Sequence, residues 1–265
     1  MIGTSAIRAT LAAAGLLAAL TLPAAAQTGG PYVRATLGYG WSGATMFQDR
    51  DCLTVHVPQF YFGCGPGEDG VAPIAARGWF GTSAAFEIGI GTYAAPAIRL
   101  EAALAYRPGF AFSGTANFVQ ITGRQPVSGD ASQMGVMGFV YADLGTMMGR
   151  SGPLQPYVGF GVGLSRNAIG EMLYEFPDRP QPRYSLMPGG VNYDVSLAVA
   201  AGVAYQMSDR LTIDLGWRWT RFGVVETEQG TLVVVRPSGD LLIPIDSTWA
   251  VLKSSEVLLS LRWAL

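Results

Sequence analysis

The chain has 265 residues, 49% of them hydrophobic and only 14% charged, with 35 glycines and a formal net charge of −2. A soluble domain carries roughly 25% charge and a disordered chain is poor in apolar residues, so this composition excludes both. With Lys+Arg 17 against Asp+Glu 19 it offers no basic footprint for nucleic acid.

Residues 1–26 read as a secretory signal peptide. Arg8 supplies the positive start, Leu11 to Leu22 form an apolar run, and Ala24-Ala25-Ala26 make a small-residue cleavage site before Gln27. The competing reading, a membrane anchor, meets a run that is short and interrupted by Pro23. Residues 27–265 then form one exported domain. In an oxidising compartment Cys52 and Cys64, which lie in one Gly/Pro-containing segment, are expected to close a local disulfide. A metal site there would need more ligands than His56, Asp49 and Asp51 provide in a recognisable spacing.

Beyond Gln27 no apolar stretch approaches the roughly 20 residues of a transmembrane helix. Period-two alternation recurs instead, which is the signal of strands. It predicts strands at Pro31–Trp41, Ser83–Thr92, Ala97–Arg107, Gln133–Leu144, Gln155–Ser165, Val191–Met207, Leu211–Phe222 and Lys253–Leu265, and no helix. The connections Tyr93–Pro96, Gly145–Pro153 and Ser208–Arg210 are short. Ser42–Thr82, Pro108–Ser132, Arg166–Gly190 and Gly223–Leu252 are long. Short turns opposite long loops predict an all-β, eight-stranded antiparallel up-and-down transmembrane β-barrel with periplasmic turns and extracellular loops. Pro177, Pro180, Pro182 and Pro188 predict that Arg166–Gly190 is an extended surface segment without regular pairing. The last long loop holds a further hairpin, Thr231–Arg236 with Asp240–Ile245, whose arms are shorter than the 9–11 residues of a spanning strand. It reads as an extension above the membrane, with a ten-stranded barrel as the alternative.

The residue types decide which face meets lipid. Leu211, Ile213, Leu215, Trp217 and Trp219 alternate with Thr212, Asp214, Gly216, Arg218 and Thr220, and the other strands follow suit. Glycines such as Gly159, Gly161 and Gly163 on the polar face need a steric reason, and a narrow lumen supplies one. The apolar face is therefore outside. Gln133–Leu144 reads with either face outward. The lumen-facing charges are then Arg34, Arg99, Arg107, Arg218 and Arg262 against Glu87, Glu101, Asp194, Asp214 and Glu256. Five of each sign in a narrow interior imply pairing, since an unpaired buried charge costs several kcal/mol. Such pairs either fasten the interior or form the gate of a polar path; both predict the same sequence. Trp41, Tyr106, Tyr193 and Trp219 sit beside the long loops, and Tyr93, Tyr205 and Trp263 beside the turns or the C-terminus, as two interfacial aromatic girdles.

On Tyr32-Val33-Arg34-Ala35-Thr36-Leu37-Gly38-Tyr39-Gly40, Tyr141-Ala142-Asp143-Leu144-Gly145, Pro156-Tyr157-Val158-Gly159-Phe160-Gly161-Val162-Gly163 and the closing strand to Leu265, the chain resembles the porin-family or opacity-type outer-membrane surface antigens, similar in fold to the OmpA transmembrane domain. Members of that group usually finish on an aromatic residue read by the assembly machinery; here the end is Trp263-Ala264-Leu265. The resemblance implies a location in the Gram-negative outer membrane. It also implies outer-membrane lipid and lipopolysaccharide as surroundings, and the assembly machinery as partner during biogenesis.

Catalysis by a barrel of this size would need a nucleophile beside a base. The single histidine, His56, lies in the first long loop and no His-x-Ser spacing exists. No catalytic, cofactor or metal site is expected. The expected role is a surface-exposed structural scaffold whose loops are available to an extracellular ligand. The alternatives are a small ion or solute channel and, from another class, a lipid A-modifying enzyme.

Overall fold

The computed structural model of the chain describes residues 30–50, 64–119, 123–150, 152–178 and 183–265. Its strands are β1 (Tyr32–Ser42), β2 (Ala44–Asp49), β3 (Ala76–Trp79), β4 (Thr82–Ala95), β5 (Ile98–Ala116), β6 (Pro126–Asp143), β7 (Leu154–Ile169), β8 (Met172–Phe176), β9 (Arg183–Met187), β10 (Gly190–Gln206), β11 (Leu211–Glu226), β12 (Gly230–Val235), β13 (Leu241–Ile245) and β14 (Thr248–Ala264). A single helical turn, α1 (Leu144–Met147), occupies the connection after β6. The sequence had predicted no helix there, and had run the strand one residue further, to Leu144.

Eight strands close a ring in the order β1, β4, β5, β6, β7, β10, β11, β14 and back to β1, every neighbour antiparallel. The ring is staggered. Pairings followed from Lys253 through Arg221, Leu197, Val162, Gly138, Ala102, Ile90 and Val33 return to β14 at Trp263, ten residues further on. A stagger of this kind accompanies strands tilted by ~40°. Leu37, Ile88, Val140, Phe160, Leu215 and Leu259 are among the exposed outward residues, and they form the apolar band that faces lipid.

The six shorter strands are continuations of this ring. β2 follows β1, β3 leads into β4, β8 follows β7, β9 leads into β10, β12 follows β11 and β13 leads into β14. Together with the upper parts of β5 and β6 they build a second tier, through the pairings β14–β2, β2–β3, β3–β5, β6–β8, β8–β9, β9–β12 and β12–β13. At ~3.3 Å per residue and ~40° tilt, the 18 residues of β6 rise roughly 45 Å, well beyond an apolar band of about 25 Å. The second tier therefore stands above the membrane.

Polarity inverts between the tiers. β14 shows it on one unbroken strand. Arg262, Ser260, Glu256 and Ser254 point inward below, with Leu258 among them, and Leu252 and Ala250 point inward above, all buried. Inside the upper tier Phe47, Phe80, Phe110, Phe112, Met172 and Phe222 pack into a core that extends to Leu232, Ile243 and Leu252. A structure surrounded by water needs its apolar side chains inside; one surrounded by lipid does not. On β5 the change coincides with a register shift between Arg107 and Phe110. Odd-numbered residues face inward up to Arg107 and even-numbered ones from Phe110.

Two expectations are corrected here. Pro108–Ser132 is largely sheet, because β5 runs on to Ala116 and β6 starts at Pro126. Arg166–Gly190 is not an unpaired surface segment: β8 and β9 form a regular hairpin from Met172↔Met187 to Phe176↔Arg183. Pro177 and Pro188 fall outside the two strands, where a missing N–H breaks no ladder. The hairpin Thr231–Arg236 with Asp240–Ile245 is present as β12 and β13, in the upper tier and outside the eight-stranded ring.

Candidate functional site: the filled interior of the barrel

Alternation places every second residue of each strand inside the ring. At its centre, two carboxylates and two guanidinium groups interlock. Arg107 Nη2 donates to Glu87 Oε1 at 2.8 Å and to Glu256 Oε2 at 2.9 Å, while its Nε meets Glu256 Oε1. Arg218 donates to Glu256 Oε2 from Nε at 3.1 Å and from Nη2 at 2.8 Å, and to Glu87 Oε2 from Nη1 at 3.1 Å; Nη2 also meets Glu87 Oε1. Each carboxylate is thus shared by both arginines, a use that suits the fork of guanidinium donors. Gln133 accepts from Arg107 Nη1 at 2.8 Å and donates to Ser165 at 2.9 Å, and Ser165 meets Ser196.

Towards the periplasmic mouth the pattern continues. Arg34 Nη2 lies 2.8 Å from Glu101 and 3.5 Å from Glu87, and its Nη1 donates to the Tyr141 hydroxyl at 3.3 Å. Tyr32 donates to Glu101 at 3.1 Å. Arg99 holds Asp143 at 3.0 Å, and its guanidinium lies 4.9 Å and 5.1 Å from the ring centres of Tyr141 and Tyr157. Arg262 holds Asp214 in a fork of 2.7 and 2.9 Å. All eight ring strands contribute at least one member.

The glycines of β7 find their reason here. A Cβ on Gly159 would come within 2.3 Å of the Tyr141 ring, and one on Gly161 within 2.4 Å of Phe139. Those rings stack at 5.4 Å between centres and fill the lumen across from the ion pairs.

The ceiling of this chamber is apolar. Arg107 lies 4.6 Å beneath the ring of Phe222, and Phe222 meets Phe110 at 6.4 Å between ring centres. Above them begins the core of the upper tier. Arg107 and Arg218 are each 1% exposed, and Glu256, Phe110 and Phe222 are 0% exposed.

Of the predicted lumen charges, Arg34, Glu87, Arg99, Glu101, Arg107, Asp214, Arg218, Glu256 and Arg262 lie in this interior and are ion-paired. Asp194 shares the inward face but joins no arginine among the described residues. Its Oδ2 accepts from the backbone N–H of Val224 at 2.9 Å. This supports an irregularity where Gly223 adopts φ +89° and the β11–β14 register shifts. The charge that replaces Asp194 in the balance is Asp143, which sequence reasoning passed over together with Gln133 and Tyr141. They lie on β6, where Met137, Phe139 and Tyr141 turn inward and Val136 and Val140 outward.

Trp41, Tyr106, Tyr193, Tyr205 and Trp263 are exposed on the outer wall, and Trp219 lies in register between outward Val199 and Ser255. Tyr93 departs from the predicted girdle. It pairs in register with buried Arg99, its hydroxyl accepts from Arg262 at 3.2 Å, and its ring meets Tyr32 edge-on at 6.2 Å. The irregularity between Tyr93 and Ala95 accompanies this inward turn. Cys52 and His56 lie outside the described residues, as does the signal peptide, so the pairing of Cys52 with Cys64 does too.

This chain is similar to several solved structures. OprG of Pseudomonas aeruginosa matches with a TM-score of 0.50 and 10% identity, covering 89% of this chain and 96% of that one. Neisserial surface protein A matches at 0.43 and 13%, covering 89% and 97%. The outer membrane protease OmpT of Escherichia coli matches at 0.48 and 11%, covering 88% and 97%. A comparison with curated proteins returns no match. The family described as outer membrane protein beta-barrel domain matches residues 10–236. With its eight-stranded ring, lipid-facing outer wall and ion-paired interior, this chain belongs to the outer membrane protein beta-barrel domain family, and its place is the outer membrane of a Gram-negative cell.

Proposed function

We propose that the protein is a closed surface barrel, a scaffold that holds a rigid extracellular tier above the outer membrane and conducts nothing. One observation carries this: the interior is blocked twice, by the Glu87–Arg107–Arg218–Glu256 cluster and by the Phe110–Phe222 ceiling above it. A gate made only of ion pairs could open by a change of partners. An apolar core overhead could not, because it has no polar partner to exchange and would have to unpack into water.

The same commitment of charge argues against catalysis. Glu87, Glu101, Asp143, Asp214 and Glu256 are all held by arginines and almost wholly withdrawn from solvent, so none is presented as a base to a substrate. Membrane lipid, the assembly machinery during biogenesis and an extracellular ligand on the upper tier are the partners this reading assigns.

Single-channel recording of the refolded protein in a planar bilayer tests it, with folding first shown by heat-dependent gel mobility. The expected record is electrically silent, for the wild type and for Arg218→Ala alike. Steady openings of the wild type would overturn the closed-barrel reading in favour of a small channel.

A further inference from the structure

On the outer wall, just where the lipid-facing band ends, one feature runs against ordinary sheet chemistry. Arg221 on β11 and Lys253 on β14 are direct cross-strand partners. Both point outward, since the residues on either side of each in sequence, Thr220 and Phe222, and Leu252 and Ser254, are buried. Like charges directly opposed destabilise a sheet. Among the described residues neither has an ion-pair partner. Glu226, further up β11, is already taken by Arg50 and by Ser247, and Glu256 faces the lumen.

Two residues below, the same two strands and β1 present Trp41, Ser255 and Trp219 side by side in register, the serine between the two indoles. Beneath these the wall is apolar, with Trp217, Val257 and Leu259 exposed. On the β1 side no described residue comes within 4 Å of where a Cβ on Gly43 would sit. Lys253 stands ten residues up β14 from Trp263, which at ~3.3 Å per residue and ~40° tilt is about 25 Å, the height of the apolar band. The notch therefore lies at the level of the outer-leaflet headgroups. It combines two cations without an ion-pair partner among the described residues, indole and hydroxyl donors, and a greasy wall below.

We infer that this notch binds the phosphorylated headgroup of an outer-leaflet lipid. The headgroup phosphate bridges Arg221 and Lys253, Ser255 and the indole N–H groups of Trp41 and Trp219 take sugar or phosphate oxygens, and the acyl chains lie against Val257 and Leu259. The anion removes the like-charge repulsion that the bare sheet carries, and the chains extend the contact where a soluble anion would have none. This adds a partner to the closed-barrel reading and rests on the same orientation of the barrel in the membrane.

The test is a titration of the refolded, full-length protein in detergent micelles with lipid A, with chemically dephosphorylated lipid A and with inorganic phosphate. It is read by the rise in unfolding temperature on heat-dependent gels. Lipid A is expected to stabilise the wild type and Arg150→Gln, a control at the opposite end of the barrel. Binding is expected to be about tenfold weaker or worse for Arg221→Gln/Lys253→Gln, as loss of two basic contacts at a charged surface implies. Dephosphorylated lipid A should stabilise far less. Equal binding by the double variant, or by the dephosphorylated lipid, would overturn the proposal. A full response to inorganic phosphate alone would overturn the lipid as its source. Should the double variant fail to fold, Lys253→Gln carries the same comparison. Conductance by the wild type would sink the closed-barrel reading and leave this comparison standing, whereas loss of lipid discrimination in a silent barrel would sink this proposal alone.

Discussion

At the scale of single residues, the arginines of the lumen are structural members. Arg218 satisfies Glu87 and Glu256 at once, so Arg218→Ala leaves the two carboxylates to share Arg107, with Arg34 only at 3.5 Å from Glu87, in a site almost wholly withdrawn from solvent. Removing one partner of a buried pair costs about 3–5 kcal/mol, and a fall of that size in unfolding free energy is expected from urea titration of the refolded barrel. Replacing Arg218 by Met and Glu256 by Leu together should cost clearly less than the sum of the single changes, because Glu87 and Arg107 remain as a balanced pair; a double-mutant cycle measures the difference. Most of these charges are legible in the alternation, since Arg34, Glu87, Arg99 and Glu256 each stand opposite an apolar face. Asp143 is not, because both faces of its strand are apolar: the inner one carries Met137, Phe139 and Tyr141 in place of charge. Asp194 has the right parity but sits beside an irregularity that gives it a backbone partner instead. No periodicity rule registers a break in the ladder before the ladder is seen.

At the scale of elements, the irregularities divide the barrel into its tiers. Gly223 adopts a positive φ of 89°, and a Cβ there would lie 2.4 Å from the Asp194 side chain. Gly223→Ala is therefore expected to destabilise by about 1–3 kcal/mol, read as a lowered midpoint in thermal unfolding on gels. The shift at Pro108–Gly109 also explains why the loops are misjudged from the sequence. Once parity flips, the inward Phe110 and Phe112 fall out of phase with Arg107, and a single continued pattern cannot be followed past them. Higher up, Asp178 just after β8 accepts from the Arg124 side chain at 3.1 Å and from its backbone N–H at 2.8 Å. These hydrogen bonds, the side-chain ones first, hold the Asp178 carboxyl below its ordinary value of 3.8. Depressed in the folded state, it supports the tie at every pH above 3.8, and the tie is lost only as pH falls through the lower folded value. Hydrogen exchange of the Arg124 amide, taken relative to its intrinsic rate at each pH, is expected to quicken only in that acid range for the wild type. In Asp178→Asn it should be fast at neutral pH.

At the scale of the whole molecule, one chain solves two opposite solvent problems with one set of strands. Within the membrane the sheet is inside-out, with charge within and Leu37, Ile88 and Leu259 outside; above it the phenylalanines move inward. The two closures are independent, so Phe110→Ala should lower stability by about 3–5 kcal/mol through the cavity it leaves, yet the ion-paired floor should keep the pore silent. Conductance and urea titration on the same preparation check both halves. The upper tier has a consequence for whatever meets the cell from outside. It joins β2, β3, β8, β9, β12 and β13 from stretches scattered between Ala44 and Ile245, and it holds them as sheet. An antibody or phage fibre arriving there encounters a contour assembled from distant parts of the chain. Antisera raised against the folded protein should therefore lose most of their binding when it is boiled, and antisera raised against peptides should recognise intact cells poorly.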